Sequence, residues 1–526
     1  MKKIMIVASL VVLTLSCGKK LDRLPKNDIT AGQVYSTPQG YIEAAAKVYG
    51  AYALTSNIGP ASPPGGGDIK GIDEGFSDFL RLFWGAQELS TDEAVIAWGD
   101  AGIQDFHNMN WSSSNPFLTG LYYRSLYQIT LANDFIKNAA DEVLNAKGFG
   151  AADVANIVSF RNEARFLRAY QYWALLDLFG NPPFVTENDV IGSNALPKQI
   201  GRPALFAYIE SELKELENLL PNARTSDYGR ADKGAVWALL ARLYLNAEAY
   251  TGTARYNDAV AYSKKVADAG YSLIGNYQNL MRADNQKNTN EFILTINYDG
   301  TRTQNYGGTT FLTHAAIGGN MPAAQFGIDG GWGGIRTTKA LVNLFPDPSG
   351  NTDKRAQFWT SGQLLEINDQ TKFEQGYGIT KFKNIEMVSG KPGSNLTFPD
   401  MDFPIFRLAE QYLIYAEAVL RGGTGGDATT ALGYINALRT RAGAAAIGSG
   451  QLTTDFVLDE RGRELYWEGF RRTDLIRYKR FTTAGYLWPW KGGTVNGKAV
   501  EDWRNVYPIP VADKNANPNL QQNPNY

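Results

Sequence analysis

Apolar residues recur at three- and four-residue steps along most of the chain, which is the pattern of helices that bury one face. The two longest runs predict helices at 117–144 and 151–179. Gly180, Pro182 and Pro183 follow the second run and should end that helix. The same periodicity predicts shorter helices at 41–54, 203–220, 233–249, 256–269, 405–421, 427–441 and 455–480. Helices therefore dominate the predicted structure.

One long stretch interrupts this helical pattern. Residues 276–397 are rich in Gly, Asn, Thr and aromatic side chains, and only 292–297 has the pattern of a strand and 338–345 that of a helix. The tail from Pro508 onward is rich in Asn and Pro. We predict that the tail is extended and that the interrupting stretch consists mostly of loops.

The paired helices on either side of this stretch have the lengths of tetratricopeptide-like hairpins, without a regular period of about 34 residues. Such hairpins stack to bury their apolar faces. We therefore predict one mainly α domain over 41–526. Its helical scaffold, at 41–275 and 398–526, would carry the loop-rich insertion 276–397.

The N-terminus has the pattern of a secretory signal. Two lysines precede an apolar run at 4–15, which is too short to span a membrane. The only cysteine of the chain, Cys17, follows directly after Ser16. We expect residues 1–16 to be a lipoprotein signal peptide, Cys17 to carry a diacylglycerol, and 17–40 to form an extended polar tether. An ordinary signal peptide with an unmodified cysteine is the alternative.

Composition narrows the classes of function. The 51 Lys and Arg against 53 Asp and Glu give a formal net charge of −2, and no basic stripe is present, so nucleic acid is not an expected partner. A single cysteine allows no disulfide framework and, once lipidated, no thiol nucleophile. The aromatic share of 12%, with 11 Trp and 28 Tyr, leaves room for an aromatic binding surface.

Patterns of catalytic and metal-binding residues are scarce. The two histidines, His107 and His314, lie in no HExxH pattern, and no nucleophile-elbow pentapeptide occurs. The glycine-rich run 330–334 lacks the Lys-Ser/Thr ending of a phosphate-binding loop, and we interpret it as a flexible loop that presents Trp332. No cofactor is expected. Loop Asp and Asn residues could bind Ca²⁺, but no EF-hand spacing supports this.

Glu464 and Glu468 would lie one turn apart on the predicted helix 455–480, as a glycosidase acid and base could. Several arginines lie on the same segment, and arginine keeps carboxylates ionised, which disfavours a general acid. We interpret these glutamates as members of structural ion pairs. The same interpretation covers Glu163, Arg165, Arg168, Glu410 and Glu417.

The positive evidence for a ligand site is aromatic. A sugar ring stacks its C–H face on Trp or Tyr, and its hydroxyls need planar polar partners. Trp98 is the first candidate, because Gly99 and Asp100 follow it in a predicted loop. The predicted ligand-binding residues are Trp98, Asp100, Arg81, Asn297, Tyr298, Tyr306 and Trp332. Trp84 is assigned to the core, and Trp359, Trp488 and Trp490 are reserve candidates.

Five segments, in order along the chain, resemble one protein family. They read ELSTDEAV at 88–95, RNEARFLRAY at 161–170 with LFGNPP at 178–183, YGRADKGA at 228–235 with LARLYL at 240–245, RLAEQYLIYAEA at 407–418 with INALRTRAG at 435–443, and ERGRELYWEG at 460–469 with DLIR at 474–477. YPIP at 507–510 and QNPNY at 522–526 close the series. By these motifs the chain is identified as a member of the SusD/RagB family of Bacteroidetes outer-membrane lipoproteins.

The resemblance implies a helical, TPR-containing fold with a loop-rich ligand face. The family uses the region around Trp98 for ligand contact, so this region would form part of that face. It implies a non-catalytic protein that captures oligosaccharides for import through a SusC-like, TonB-dependent outer-membrane β-barrel. It also implies a lipid anchor in the cell outer membrane, with the protein exposed at the surface. Peptide capture, as in RagB-like branches, is an alternative. A surface glycoside hydrolase and a scaffold that binds only the barrel are further alternatives.

Overall fold

The computed structural model describes residues 31–60, 66–189 and 195–526, and helices make up most of its regular structure. The α-helices in these ranges are α1 (Ala31–Val34), α2 (Pro38–Gly50), α3 (Phe79–Glu88), α4 (Asp105–Asn108), α5 (Pro116–Asn138), α6 (Asp141–Asn145), α7 (Ala151–Leu178), α8 (Arg202–Leu219), α9 (Lys233–Leu245), α10 (Ala247–Thr251), α11 (Tyr256–Asp268), α12 (Gly308–Ala315), α13 (Lys339–Val342), α14 (Leu408–Leu420), α15 (Ala428–Arg441), α16 (Thr454–Leu465), α17 (Arg471–Arg477) and α18 (Val511–Ala516). The predicted mainly α fold is confirmed.

Strands are short and pair in twos. They are β1 (Val95–Ile96), β2 (Pro183–Phe184), β3 (Lys198–Gln199), β4 (Phe292–Ile296), β5 (Ile335–Arg336), β6 (Phe358–Trp359), β7 (Gly378–Ile379) and β8 (Phe403–Arg407). The antiparallel pairs in the described ranges are β1 with β5, β2 with β3, β4 with β8 and β6 with β7. Three of these four pairs therefore involve the insertion, which they tie to the scaffold or to itself.

Several scaffold helices begin at a polar N-cap residue or a proline. Asn115 accepts from the first amides of α5, whose first residue is Pro116, and Asp232 does the same for α9. Successive long helices then pack together: α5 on α7, α7 on α8, α9 on α11, and α11 on α14. This stacking is the one predicted for paired helices. None of the helices in the described ranges has both the length and the apolar content needed to cross a bilayer.

Four predicted regions differ in the structure. The predicted helix 405–421 begins as strand β8, because its five buried residues pair with β4 and show no helical period. The predicted extended tail contains α18, and the insertion contains α12, which was not predicted. The predicted tether is already helical in α1 and from Pro38 onward, where the Thr37 hydroxyl caps α2. Residues 1–16, Cys17 and the first part of the tether lie outside the described residues.

The predicted helix 455–480 is also wrong, because it breaks between α16 and α17. Trp467 and Gly469 have φ values of +63° and +85°, which no α-helix contains. Carboxylates from the distant segment 88–93 compete for the backbone donors at the break. Glu88 Oε1 accepts from the amide of Gly469 at 2.6 Å, and Glu93 Oε2 accepts from that of Trp467 at 3.0 Å. A tertiary contact therefore overrides the local helical pattern.

Ion pairs form a second, charged core beneath the helices. Arg407 donates to Glu464 and to Glu468, at 2.6 and 2.7 Å. Burial alone would raise the pKa of Glu464, but the Arg441 and Arg407 cations outweigh it and lower the pKa to about 2. The predicted structural role is confirmed, although Glu464 and Glu468 do not share a helix. The other residues assigned to ion pairs also have partners, which the sequence did not name: Glu163 pairs with Arg230, Arg165 and Arg168 with Glu212, Glu410 with Arg242, and Glu417 with Arg477.

Candidate functional site

A short ladder holds the segment after residue 94 against the insertion. Strand β1 pairs with β5, so that Ile96 lies opposite Ile335. The pairing continues beyond the strands, because the amide of Ala97 donates to the carbonyl oxygen of Gly334 at 2.7 Å. The residues that follow β1 and those that precede β5 are therefore held side by side at one edge of the molecule.

Two predicted tryptophans occupy that edge. The indole N–H of Trp98 donates to the carbonyl oxygen of Trp332 at 3.2 Å, and the ring centroids are 6.4 Å apart with planes tilted by 41°. Tyr306 continues the row, with its ring centroid 6.3 Å from that of Trp332 and its plane tilted by 50°. Tyr306 is 37% exposed and both tryptophans are half-buried. We call Trp98, Trp332 and Tyr306 the aromatic platform.

The glycine-rich run that carries Trp332 is held by backbone hydrogen bonds. The amides of Trp332, Gly333 and Gly334 donate to the carbonyl oxygens of residues 314, 317 and 315, each at 2.8 Å. These acceptors belong to the C-terminal end of α12 and the residues after it. The run is a loop that presents Trp332, as interpreted from the sequence, and its last three amides hold it to the end of α12 and to residue 317.

The indole ring of Trp98 packs closely against Gly334 and Phe311. A Cβ atom added to Gly334 would lie 2.5 Å from the indole of Trp98, so the glycine allows the ring to approach the backbone. Phe311 of α12 meets the same ring edge to face, with centroids 6.0 Å apart. Helix α12 therefore supports both tryptophans, Trp98 through a side chain and Trp332 through its backbone.

Arg81 lies beneath the platform and packs among rings. Its guanidinium carbon is 4.2 Å from the Phe76 ring centroid, 4.5 Å from that of Phe311 and 5.6 Å from that of Trp98. The Nη1 atom donates to the carbonyl oxygen of Tyr306 at 3.1 Å and to that of Gly75 at 2.8 Å. Arg81 therefore joins α3 to two rings of the platform.

The other nitrogens of Arg81 remain available to a ligand. Within the described part of the chain, Nη1 makes all of the hydrogen bonds of this side chain, and Nε and Nη2 make none. Burial lowers the pKa of Arg81 to about 9, and the carboxylates of Asp100, Asp78 and Asp73 act in the opposite direction. Arg81 is thus a cation at neutral pH. Its free N–H groups can donate to hydroxyl groups that face the platform.

Polar side chains border the platform near Trp98 and near Tyr306. Asp100, which was predicted, and Asp73, which was not, are both exposed carboxylates that act electrostatically on Arg81. Gln104 donates to the carbonyl oxygen of Trp98 at 2.9 Å and accepts from Gln370 at 3.3 Å. Carboxylates and amides of this kind are planar partners for sugar hydroxyls. The border therefore supplies acceptors beside the donors of Arg81.

Two predicted residues lie elsewhere. Tyr298 is only 6% exposed, its backbone amide donates to Asp402 at 2.7 Å, and no ring contact joins it to the platform within the described residues. Asn297 is exposed but accepts from the Thr295 hydroxyl, and it borders a separate, mostly apolar cavity of about 360 Å³. The structure thus brings together Arg81, Trp98, Asp100, Tyr306 and Trp332, and leaves Asn297 and Tyr298 out of this site.

The remaining tryptophan candidates have other surroundings. Trp84 is fully buried, as predicted, and its indole N–H donates to the carbonyl oxygen of Trp467 at 3.0 Å. Trp488 is 1% exposed, so this reserve candidate belongs to the core. Trp359 donates to Asn320 and Trp490 to the carbonyl oxygen of Ile367, both at 2.9 Å. These indoles are engaged outside the platform.

The site offers stacking and hydrogen bonding, not acid–base chemistry. The carboxylates Glu464 and Glu468 are buried in ion pairs, which keep them ionised. Burial, with the nearby Arg336 cation, lowers the pKa of His107 to about 3. Among the described residues, no cluster of three or more His, Cys, Asp or Glu could hold a metal ion.

Sequence reasoning missed two supporting residues. His314 stacks beneath Trp332, with ring centroids 4.7 Å apart, and Phe398 lies 5.5 Å from Tyr306. His314 carried a weak signal, as one of two histidines and 18 positions before Trp332 in the same insertion. Nothing in the sequence around Phe398 distinguishes it from other core aromatics.

Comparison with known families identifies two matching regions. Residues 348–526 match the family described as "SusD family". Residues 87–245 match the family described as "Starch-binding associating with outer membrane". The second region contains Trp98 and Asp100, and the stretch 246–347 between the two matches contains Tyr306 and Trp332.

Relatives cover nearly the whole chain. The chain is 37% identical to the starch-binding protein SusD of Bacteroides thetaiotaomicron, over 95% of each protein. It is 22% identical to a SusD-like protein of Bacteroides ovatus, over 91% of this chain and 83% of the relative. Its fold is similar to that of surface glycan-binding protein A of Bacteroides thetaiotaomicron in complex with laminarihexaose, with a TM-score of 0.71, 22% identity, and coverage of 92% and 99%. The resemblance deduced from the sequence motifs is thereby confirmed, and the chain belongs to the SusD family.

Proposed function

We propose that this protein is a non-catalytic binding protein that captures starch-type α-glucan oligosaccharides on the aromatic platform. The observation that carries the proposal is the row formed by Trp98, Trp332 and Tyr306, with the free donors of Arg81 beside it. The 37% identical relative is named as a starch-binding protein, and none of the relatives reported above is named as an enzyme.

The tilt of the rings supports a curved ligand. Neighbouring planes are inclined by 41° and 50°, so a chain that stacks on all three rings must bend along its length. Glucans with α-1,4 linkages curve into a helix, whereas β-1,4 chains are extended. The platform therefore disfavours extended β-1,4 chains, and the choice of α-glucans among curved ligands rests on the 37% identical starch-binding relative.

The expected affinity is modest. Each aromatic contact contributes about 0.5–1.5 kcal/mol beyond its buried area. Two or three such contacts, with the hydrogen bonds from Arg81, give about 4–6 kcal/mol, which corresponds to millimolar to tens of micromolar affinity. A protein that passes its ligand to a transporter needs affinity in this range, because tighter binding would slow release.

The partner and location form part of the same proposal. The family description that matches residues 87–245 associates it with the outer membrane. A lipid on Cys17 would hold the protein there, exposed at the cell surface, and a SusC-like TonB-dependent barrel would receive the glycan. Mass spectrometry of the membrane-extracted protein, which would detect a diacylglycerol on Cys17, tests the anchor. Co-purification with the barrel tests the partner.

The binding proposal is tested by calorimetry of the soluble form that begins at Gly18. Malto-, laminari- and cello-oligosaccharides of equal length and a set of oligopeptides would be titrated into wild type, Trp98→Ala and Trp332→Ala. Trp237→Phe is the matched control, because Trp237 is half-buried on α9 and its indole pairs with Glu217. We expect malto-oligosaccharides to bind best and both platform variants to weaken binding at least tenfold.

Other outcomes identify the alternatives. Binding of peptides alone would indicate a peptide-capturing protein. Shortening of a labelled glucan during the titration would indicate an enzyme. Equal losses in Trp237→Phe and the platform variants would show that the platform is not the binding surface.

A further inference from the structure

His314 is buried directly beneath the platform. Its imidazole stacks on the indole of Trp332, with ring centroids 4.7 Å apart and planes 24° from parallel. The amide of Trp332 donates to the carbonyl oxygen of His314 at 2.8 Å. The histidine thus touches Trp332 through both its ring and its backbone.

Both ring nitrogens of His314 face backbone acceptors from different segments. Nδ1 lies 2.6 Å from the carbonyl oxygen of Gly330, and Nε2 lies 2.9 Å from that of Thr397. A neutral imidazole carries only one N–H, whereas an imidazolium carries two. In the neutral state one carbonyl oxygen must therefore face a nitrogen lone pair. Protonation would turn that repulsive contact into a hydrogen bond.

The surroundings select which nitrogen keeps its proton. A carboxylate oxygen of Asp329 lies 3.8 Å from Nδ1, so the neutral ring favours the Nδ1–H tautomer, and the Nε2 lone pair then points at Thr397. Asp329 is the charged side chain that faces the ring, and its other oxygen accepts from the Thr397 hydroxyl. The other contacts of the ring in the described residues are with the backbone of Gly330, Leu396 and Thr397 and with the indole of Trp332. The Arg81 guanidinium lies over Phe311 and Trp98 instead.

Burial and the neighbouring acceptors act in opposite directions on the pKa of His314. Burial lowers the pKa from its ordinary value of 6.5, while the carbonyl of Gly330, the carboxylate of Asp329 and the carbonyl of Thr397 act to raise it. The pKa remains below 6.5, so the ring is neutral at neutral pH and gains its proton only at lower pH.

We propose that His314 is a positioning residue for the aromatic platform and that its protonation locks the platform and tightens glycan binding. The inference rests on the proposed function. An imidazolium would hold the Gly330 segment, which carries Trp332, and the Thr397 segment, whose next residue, Phe398, packs on Tyr306. It would also place a cation against the indole face. One proton would thus fix two of the three platform rings.

We call protonated His314, bonded to the carbonyl oxygens of Gly330 and Thr397, the proton clamp. Nuclear magnetic resonance tests the proton clamp without any ligand. The chain has only two histidines, and His107, with its pKa near 3, is a silent internal reference. We expect the imidazole nitrogens of His314 to titrate below pH about 6.5, with Nε2 gaining the proton. Asp329→Asn should move the midpoint to lower pH, because it removes the facing charge. A midpoint unchanged in Asp329→Asn, or no titration of His314 above the range of His107, would overturn the inference.

Calorimetry with a malto-oligosaccharide tests the effect on binding. Between neutral pH and a pH below the His314 midpoint found by NMR, wild type should gain about threefold to tenfold in affinity, as expected from one additional hydrogen bond. His314→Gln keeps one donor and one acceptor but takes up no proton, so its affinity should not vary with pH. Asp329→Asn, which leaves the ring in place, should shift the affinity profile to lower pH and serves if His314→Gln does not fold.

The outcomes separate this inference from the proposed function. Tight malto-oligosaccharide binding that is equally independent of pH in wild type and His314→Gln would overturn the clamp and leave the proposed function intact. Failure of wild type to bind glycan at either pH would overturn the proposed function and the affinity gain. The NMR titration would then still decide whether His314 takes up the proton.

Discussion

The indole of Trp98 is hydrogen-bonded to the backbone of Trp332 across 234 positions of sequence. The platform geometry is therefore set by contacts within the protein, before any ligand arrives. Preorganisation of this kind reduces the conformational entropy that binding would otherwise cost. It also means that residues outside the ligand's reach control affinity, because they set the angle between the rings.

Gly334→Ala should displace Trp98. The added Cβ atom would lie 2.5 Å from the indole, and the ring must move or tilt. We expect glycan affinity to fall about tenfold or more, with about 1–3 kcal/mol of lost stability from overpacking. Calorimetry and chemical denaturation measure the two effects. Gly330→Ala is the matched control, because nothing lies within 4 Å of its added Cβ. Equal losses in both variants would contradict the close packing of Trp98 on Gly334.

Arg81→Lys should weaken glycan binding although the positive charge is retained. The guanidinium packs flat among the rings and leaves two nitrogens free, and a lysine ammonium reproduces neither feature. We expect about a tenfold loss of affinity, measured by calorimetry, because one or two hydrogen bonds to hydroxyls are lost. Arg302→Lys, on a side chain that is 84% exposed, should leave affinity unchanged. Retained affinity in Arg81→Lys would remove Arg81 from the ligand contacts.

Glu464→Gln should destabilise the whole domain. Its carboxylate lies between the guanidinium groups of Arg407, Arg441 and Arg355, and the amide would leave these buried cations undercompensated. We expect a loss of about 3–5 kcal/mol in the free energy of unfolding. Urea denaturation measures it. Glu215→Gln, which removes an exposed partner of Arg165, should cost less than about 1 kcal/mol.

Acid should unfold the protein through the same carboxylates. The pKa values of Glu464 and Glu417 are held near 2, against 4.5 for an unperturbed glutamate. Each therefore contributes stability that is present above pH 4.5 and lost as the pH falls toward 2. We expect the melting temperature to fall steeply over that interval. A melting temperature unchanged between pH 4.5 and 2 would contradict the ionised charged core.

Glu88 and Glu93 should make the free energy of unfolding decrease as the pH rises, which is the opposite of the effect of Glu464 and Glu417. Burial raises the pKa of Glu88 to about 7, and burial with the Glu88 charge raises that of Glu93, so the native state holds a proton that the unfolded state releases above pH 4.5. Stability should therefore decrease as the pH rises from 4.5 to 7. Glu93→Gln imitates the protonated acid and should flatten this slope in thermal melts. If stability decreased with pH equally steeply in Glu93→Gln, another group would hold the proton.

The sequence predicts the scaffold well because its helices are long and keep apolar residues at helical spacing. It fails where a distant partner decides the local structure. The backbone amides of residues 467, 469 and 470 donate to Glu93 and Glu88, which are 374 to 382 positions away. The helical periodicity of the sequence therefore continues through a segment that is not helical.

The candidate site was partly predictable for a similar reason. Trp98, Tyr306 and Trp332 are aromatic residues in loops, a composition that itself suggests stacking. Asn297 and Tyr298 share that composition, but the chain leaving β4 turns one to solvent and the other to the core. The role of His314 depends on two backbone carbonyls, which no side-chain pattern can show.

The pairing of β1 with β5 has one more consequence. Since this ladder joins positions about 240 apart, and since Trp98 and Trp332 extend from its end, no fragment that ends before the insertion contains even half of a working surface. Affinity for sugar would arise only after these two distant segments have paired, a contact that is slow to form because its sequence separation is large. A glycan column would then retain mature molecules and reject unfinished ones, so that sugar binding serves as a test of completed folding.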